Sequence, residues 1–115
     1  MSAQATSVLA VAAVAAGTIA AARFVTPAGA QAGADVNTLG VARFAAVLND
    51  KVTIDVLGTA VVEAGAAVAA GATLKSDASG RAITWAASGA KVALALDAAG
   101  AAGVMIEVLL IPNVA

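Results

Sequence analysis

The fold of this chain is decided by residues 51–57, which read KVTIDVL. Val52, Ile54 and Val56 alternate with three polar residues, and this period of two predicts a β-strand with one buried face and one solvent face. Gly58 follows directly and is expected to end the strand, because glycine is a common turn residue. We therefore start from a β protein and extend the pattern outward in both directions.

Further runs with β character follow at regular intervals and are separated by glycine-centred breaks. Residues 76–80 begin with a polar pair and end in Gly, an arrangement that favours a type I turn and predicts a hairpin between Leu74 and Ile83. Residues 104–111 read VMIEVLLI, which predicts a central strand covered on both faces. This spacing predicts a single all-β domain, a small β-barrel or jelly-roll-like sandwich with an extended N-terminal segment.

The domain divides into three parts. Residues 1–26 form an N-terminal segment, extended or strand-forming, that is expected to contact neighbouring subunits. Residues 27–37 form a surface loop rich in Ala and Gly, and residues 38–115 form the β-barrel or sandwich core. Within the first part, the apolar run 8–22 is interpreted as two strands separated by a turn near residues 15–17, although its Ala content also favours a helix.

The N-terminal run also has features of an export signal. Residues 28–30 fit the small-x-small pattern that precedes a signal-peptidase cut, which would leave a mature chain beginning near Gln31. Against this interpretation, no Lys or Arg precedes the run, and Arg23 and Pro27 lie between the run and the proposed cut. A membrane span is not expected, because it needs about 20 strongly apolar residues and Gly17 interrupts this shorter run.

Composition limits both partners and chemistry. The 115 residues include six Lys and Arg against seven Asp and Glu, with no His and no Cys. Nucleic acid is not an expected partner, because polyanion binding needs clustered basic residues, and disulfides are impossible without Cys. The absence of His, Cys and Tyr removes the usual catalytic triads and dyads, and the acids lie on polar faces or at strand ends, where they favour solubility. We expect no enzyme, no cofactor and no metal site.

Three large side chains are important in a chain so rich in Ala: Phe24, Phe44 and Trp85. Their apolar areas predict core anchors, with a role at an interface as the alternative. Arg23 and Arg43 are candidates for pairing with acidic groups of neighbouring subunits. The candidate interface residues are therefore Arg23, Phe24, Arg43, Phe44 and Trp85.

Several phrases taken together resemble the phage capsid cement family. They are GTIAAARFVT (17–26), LGVA (39–42), VLGTAVVEAG (56–65), VAAGATLKSD (68–77), GRA (80–82) and IEVLL (106–110). The resemblance extends from Thr6 to Leu110 and is most specific between Val56 and Gly80. One departure is Asn49-Asp50 before the central strand, where relatives often have Gly-Asp; both pairs adopt similar turns, so the fold expectation is unchanged.

The resemblance implies a virion protein, a cement or decoration subunit on the outer surface of a phage head assembled in the host cytoplasm. Such subunits bind as dimers or trimers over joints between major capsid proteins. The expected partners are therefore the major capsid protein and further copies of this chain, with a homotrimer favoured over a homodimer. We also expect the segment before Phe24 and the loop 27–37 to order against neighbouring subunits after the β core has formed.

Two alternatives remain open. The first is an exported surface-layer or adhesin-like β protein with a cleaved N-terminus. The second is an enzyme or binding module with an apolar pocket near Trp85 and Phe44, since β-barrels are able to enclose ligands.

Overall fold

The structure is a computed structural model that describes residues 5–112, and this range contains eight β-strands and no helix. The strands are β1 (Ser7–Val14), β2 (Phe24–Val25), β3 (Gly40–Ala42), β4 (Lys51–Glu63), β5 (Thr73–Ser76), β6 (Ala82–Thr84), β7 (Ala93–Ala95) and β8 (Met105–Leu110). Every pair of named strands is antiparallel. The all-β prediction is confirmed. Within residues 5–112, no helix has the length and apolar character needed to cross a membrane.

The longest strand, β4, organises the sheet. Its first half lies between β1 and β3, and its second half pairs with β8. Val52 and Ile54 are buried and Val56 is half-buried, as the alternating pattern predicted, but the prediction is wrong for Asp55, which is buried and pairs with Arg43 instead of facing solvent. The expectation that the strand ends at Gly58 is wrong: Gly58 adopts a φ of +93°, and β4 continues past it opposite a register shift in β1. Glycine tolerates this conformation because it has no Cβ, so it makes a bulge where we expected a strand end.

The sheet curves until it nearly closes into a barrel. The strand order is β2-β3-β4-β8-β7-β5-β6, with β1 added to β4. Across the seam, the backbone N–H of Phe24 in β2 donates to the carbonyl of Gly80, in the turn between β5 and β6, at 2.8 Å. That turn closes the predicted hairpin, and its Asp77 carboxylate accepts two backbone hydrogen bonds of 2.8 and 2.9 Å. The predicted barrel and hairpin are both confirmed.

Two apolar cores lie on opposite sides of β2 and β3. The large core fills the barrel and contains Phe24, Val62, Leu74 and Ile106 among other buried side chains. The small core is built from the buried side chains Ala15, Ile19, Val25, Ala42, Ala46, Val52 and Ile54. Because a fully buried large apolar side chain contributes about 1.5–3 kcal/mol, the few large side chains of this Ala-rich chain supply a disproportionate share of its stability.

The N-terminal segment packs on the small core. Val11 and Ala13 of β1 cover this core, while the opposite face of the strand is exposed. The predicted turn near residues 15–17 is present, but the second predicted strand is reduced to one bridge between Ile19 and Ala46. The first four residues of the predicted segment and the last three of the predicted core lie outside the described residues.

Candidate interaction surfaces

The five predicted interface residues do not form one site, and the three aromatic residues have different environments. Phe24 is completely buried in the large core, so the core interpretation is confirmed for it. Trp85 is half-buried; its indole N–H donates to the carbonyl of Gly89 at 2.9 Å, and the Lys91 ammonium lies 4.5 Å from the ring centroid. For Phe44 the core interpretation is wrong, since 59% of its surface is exposed and it belongs to neither core.

Arg23 belongs to an ion-pair network along the seam of the barrel. Its guanidinium lies 3.3 Å from the Glu63 carboxylate at the end of β4 and donates to the carbonyl of Ser79 at 2.9 Å. Arg81 shares Glu63 at 3.4 Å and also pairs with Asp77 at 3.4 Å. The network therefore joins β4 to the β5–β6 hairpin, and Arg23 makes its ion pair within its own chain. Its predicted interface role stays a prediction.

Arg43 lies at the edge of a cavity of about 380 Å³. Its guanidinium donates to the nearly buried carboxylate of Asp55 on β4, and this hydrogen bond raises the pKa of Arg43. The rest of the lining is mainly small and apolar, with the larger side chains of Val61 and Met105 on one side. The cavity has space for an apolar side chain of another molecule, next to a cation that remains half-exposed.

The loop between β3 and β4 presents three large apolar side chains, which we call the loop patch: Phe44, Val47 and Leu48. They are 59%, 58% and 60% exposed. The backbone of the loop is held in place, because Ala46 exchanges two backbone hydrogen bonds of 2.8 and 2.9 Å with Ile19. Large apolar side chains held exposed on a fixed backbone are typical of a docking surface.

A second apolar surface, which we call the β8 face, is the outer side of the sheet around β8. It consists of Val61 on β4, Leu94 on β7, and Met105, Glu107 and Leu109 on β8, which the strand registers bring together. Met105 and Leu109 are 46% and 40% exposed. The expectation that this strand is covered on both faces is wrong for Met105 and Leu109: its inner face is buried, but on its outer face only Glu107, between these two residues, is buried.

Glu107 lies in the middle of the β8 face in an unusual environment. The residue is only 5% exposed, and its Oε1 atom is buried without a hydrogen-bond partner among the described residues. Its backbone N–H donates to the Asp97 carboxylate at 3.0 Å, so the acid nearby is itself an acceptor. A buried acceptor without a donor is destabilising, so a donor supplied by water or by another molecule would stabilise this carboxylate.

The open edge of β1 is a third candidate. Among the described strands, β1 pairs only with β4 and has no neighbour on its other side. Its eight residues include no charge and no Pro, and Val8 and Val14 are 76% and 56% exposed. Native edge strands are usually protected by charges, Pro or bulges, so a long apolar edge of this kind favours pairing with another chain.

Sequence reasoning identified Arg43 and Phe44 but missed most of these surfaces. Val47 and Leu48 could have been predicted as exposed apolar residues, since they are large, precede Asn49-Asp50 and do not continue a β alternation. No feature of the sequence indicated that Glu107 is buried, because alternation placed it on a solvent face and gave it a role in solubility. Within residues 5–112 no cluster of three or more acidic side chains is able to hold a metal ion. The arrangement is thus one of apolar surfaces and ion pairs, which is suited to protein binding.

The comparisons with known proteins agree with a protein that acts by binding other proteins. A family model described as phage cement protein matches residues 3–110, nearly the whole chain. The protein is thus a structural protein of a phage virion. It belongs to the phage cement protein family.

A solved structure supports the fold. The chain is similar to the head fiber gp8.5 N base of bacteriophage phi29, with a TM-score of 0.73 and 18% sequence identity over 90% of this chain and 93% of that chain. At this identity the likeness shows the fold alone. No curated protein matches the chain in sequence.

Proposed function

We propose that this chain is a capsid cement subunit, which binds the outer surface of the phage head and stabilises contacts between neighbouring major capsid proteins. The family match over residues 3–110 carries this proposal. The protein acts by binding and not by catalysis, and it uses no cofactor, nucleic acid or membrane. Its partners are the major capsid protein and further copies of itself, with a trimer favoured over a dimer. It is located on the outside of the virion after assembly in the host cytoplasm.

The amount of exposed apolar surface supports a protein that works in an assembly. Among the described residues, eleven large apolar side chains are at least 36% exposed. A soluble protein that acts alone rarely groups such residues, whereas a subunit of a shell covers them with its neighbours. Repetition over a lattice then converts modest pairwise affinity into strong overall binding.

We assign the capsid contact to the open edge of β1. Strand addition supplies backbone hydrogen bonds that do not depend on particular side chains. The edge carries no charge and no Pro that would repel an incoming strand, and its register shifts are confined to residues 7–10. Pairing with β4 holds β1 in place before binding. In this proposal the N-terminal segment makes the contact with neighbouring subunits that we expected from the sequence, and the half-exposed Trp85 remains a further proposed contact.

The exported alternative conflicts with the packing. A cut before Gln31 would remove β1, β2 and Phe24. Phe24 fills the large core, and removal of a buried Phe side chain alone costs about 3–5 kcal/mol. The mature chain would lose much of its stability, so we do not favour this alternative.

A reconstitution experiment tests the cement proposal. Heads that lack the protein are mixed with the purified chain and sedimented, and occupancy is measured on a gel. The wild type is expected to saturate the heads. Ala12→Lys, which places a charge on the exposed face of β1, is expected to bind weakly while its circular dichroism stays unchanged. Ala101→Lys, in an exposed loop far along the chain from β1, is the matched control and is expected to bind like the wild type.

The two parts of the proposal fail separately. Absence of wild-type binding to heads would contradict the cement role itself. Full occupancy by Ala12→Lys would leave the role intact and move the capsid contact away from β1.

A further inference from the structure

The charged side chains of the described residues are mostly paired with one another. Four of the six basic residues form ion pairs with acids, namely Arg23, Arg43, Lys75 and Arg81. Lys91 lies over the ring of Trp85. Lys51 is exposed, and its ammonium group has no ion-pair or hydrogen-bond partner in the described part of the chain. It is thus the cation that is most available to another molecule.

Lys51 lies beside apolar surface. It is the first residue of β4 and follows the loop patch of Phe44, Val47 and Leu48. Its register partner on β1 is Val14, which is 56% exposed. One end of the molecule therefore presents an apolar patch that carries a free positive charge.

Glu107 has the opposite character on the β8 face. It is a nearly buried carboxylate without a donor in residues 5–112, and the exposed side chains of Met105 and Leu109 lie on either side of it. This surface is thus apolar with an unpaired negative charge at its centre. It complements the surface around Lys51 in both sign and polarity.

Lys51 and Glu107 do not pair with each other within one copy. Lys51 is the first residue of β4, and Val61, the register partner of Glu107, is ten residues further along the same strand. Ten residues of extended chain span about 33 Å, although bending of the strand shortens this distance. A second copy offers each of these two side chains the charged partner that it lacks in residues 5–112.

We propose that the loop patch of one copy docks on the β8 face of the next, and that the Lys51 ammonium of the first donates to the Glu107 carboxylate of the second. This inference rests on the self-association in the proposed function and names its two surfaces. Because the two surfaces differ, the contact is heterologous and repeats from copy to copy until a ring closes. The cavity beside Met105 lies next to this contact and offers space for an apolar side chain of the incoming loop.

The first test measures self-association of the purified full chain by analytical ultracentrifugation over a wide range of concentration. Lys51→Glu and Glu107→Lys are each expected to weaken association at least about tenfold, because each places like charges at the contact. Lys91→Glu is the matched control, since Lys91 is also exposed and outside any ion pair, and it is expected to leave association unchanged. Thermal unfolding checks that each variant is folded.

Restoration of the contact is the decisive result. An equimolar mixture of Lys51→Glu and Glu107→Lys is expected to associate again, because each variant supplies the charge that its partner needs. Glu107→Gln keeps the shape of the side chain and removes its charge. It is expected to weaken association less than Glu107→Lys, and it replaces that variant if Glu107→Lys does not fold. A wild type that remains monomeric, variants that associate like the wild type, or an equal loss in Lys91→Glu would overturn the assignment. Head binding is measured separately, so failure here leaves the cement proposal untouched.

Discussion

At the scale of single residues, the two phenylalanines show how position along a strand or in a loop determines the role of a side chain. Phe24 lies in β2 and faces the barrel, where it is completely buried, whereas Phe44 lies in the loop after β3 and is 59% exposed. Composition alone suggested the same role for both. The difference arises because β2 places its residues between β3 and the hairpin, and the loop has no such cover.

We predict that Phe24→Ala lowers the free energy of unfolding by about 3–5 kcal/mol, because it leaves a cavity in the large core. Phe44→Ala is the matched control and is expected to change it by less than about 0.5 kcal/mol. Urea unfolding followed by circular dichroism measures both. Equal destabilisation by the two substitutions would contradict the assignment of one residue to the core and the other to the surface.

A second residue-scale prediction concerns pH. The Lys75 ammonium lies 2.7 Å from Asp35, and their hydrogen bond is the main reason that the pKa of Asp35 is below its usual value. A pKa that is lower in the folded state stabilises the protein above the unfolded pKa, and this stabilisation is lost as pH falls through the folded value.

In Lys75→Met, NMR titration is therefore expected to show the pKa of Asp35 rising toward its usual value of about 3.9. The stability difference between wild type and variant is expected to narrow as pH falls below about 4. Lys51→Met, at a lysine without a partner in the described chain, serves as control. An Asp35 titration that is the same in wild type and Lys75→Met would show that the pair does not act in solution.

At the scale of elements, alternation predicted the buried face of β4 but not its length. The strand was expected to end at Gly58, because sequence cannot distinguish a glycine that ends a strand from one that forms a bulge within it. Here the bulge is fixed by a distant partner, since a Cβ on Gly58 would lie 2.4 Å from the carbonyl oxygen of Thr6. The β5–β6 hairpin was predicted correctly, because its Asp and Gly act locally within the turn.

We predict that Gly58→Ala destabilises the protein by more than about 1 kcal/mol, because an L side chain is strained at a φ of +93° and clashes with the start of β1. Gly17→Ala is the control, since a Cβ there meets nothing within 4 Å. Urea unfolding gives the magnitude, and faster hydrogen exchange of the β1 amides gives the location. If the two variants were equally stable, the bulge would not hold β1 in place.

At the scale of the whole molecule, the fold was predictable and the interaction surfaces largely were not. Periodicity and turn residues act locally, so the all-β barrel follows from them. Exposure of the β8 face depends on whether another layer covers it, and the isolation of Glu107 depends on which side chains β4 and β7 place around it. Neither feature can be obtained from spacing along the chain. The open edge of β1 likewise depends on the complete strand order.

The central claim is that this chain cements the outside of a phage head, and cryo-electron microscopy of purified heads tests it most directly. We predict ordered density of the size of this barrel on the outer surface, above the junctions between major capsid proteins, with the open edge of β1 toward the shell. An outer shell without this density, in heads to which the chain has been added in excess, would contradict the claim.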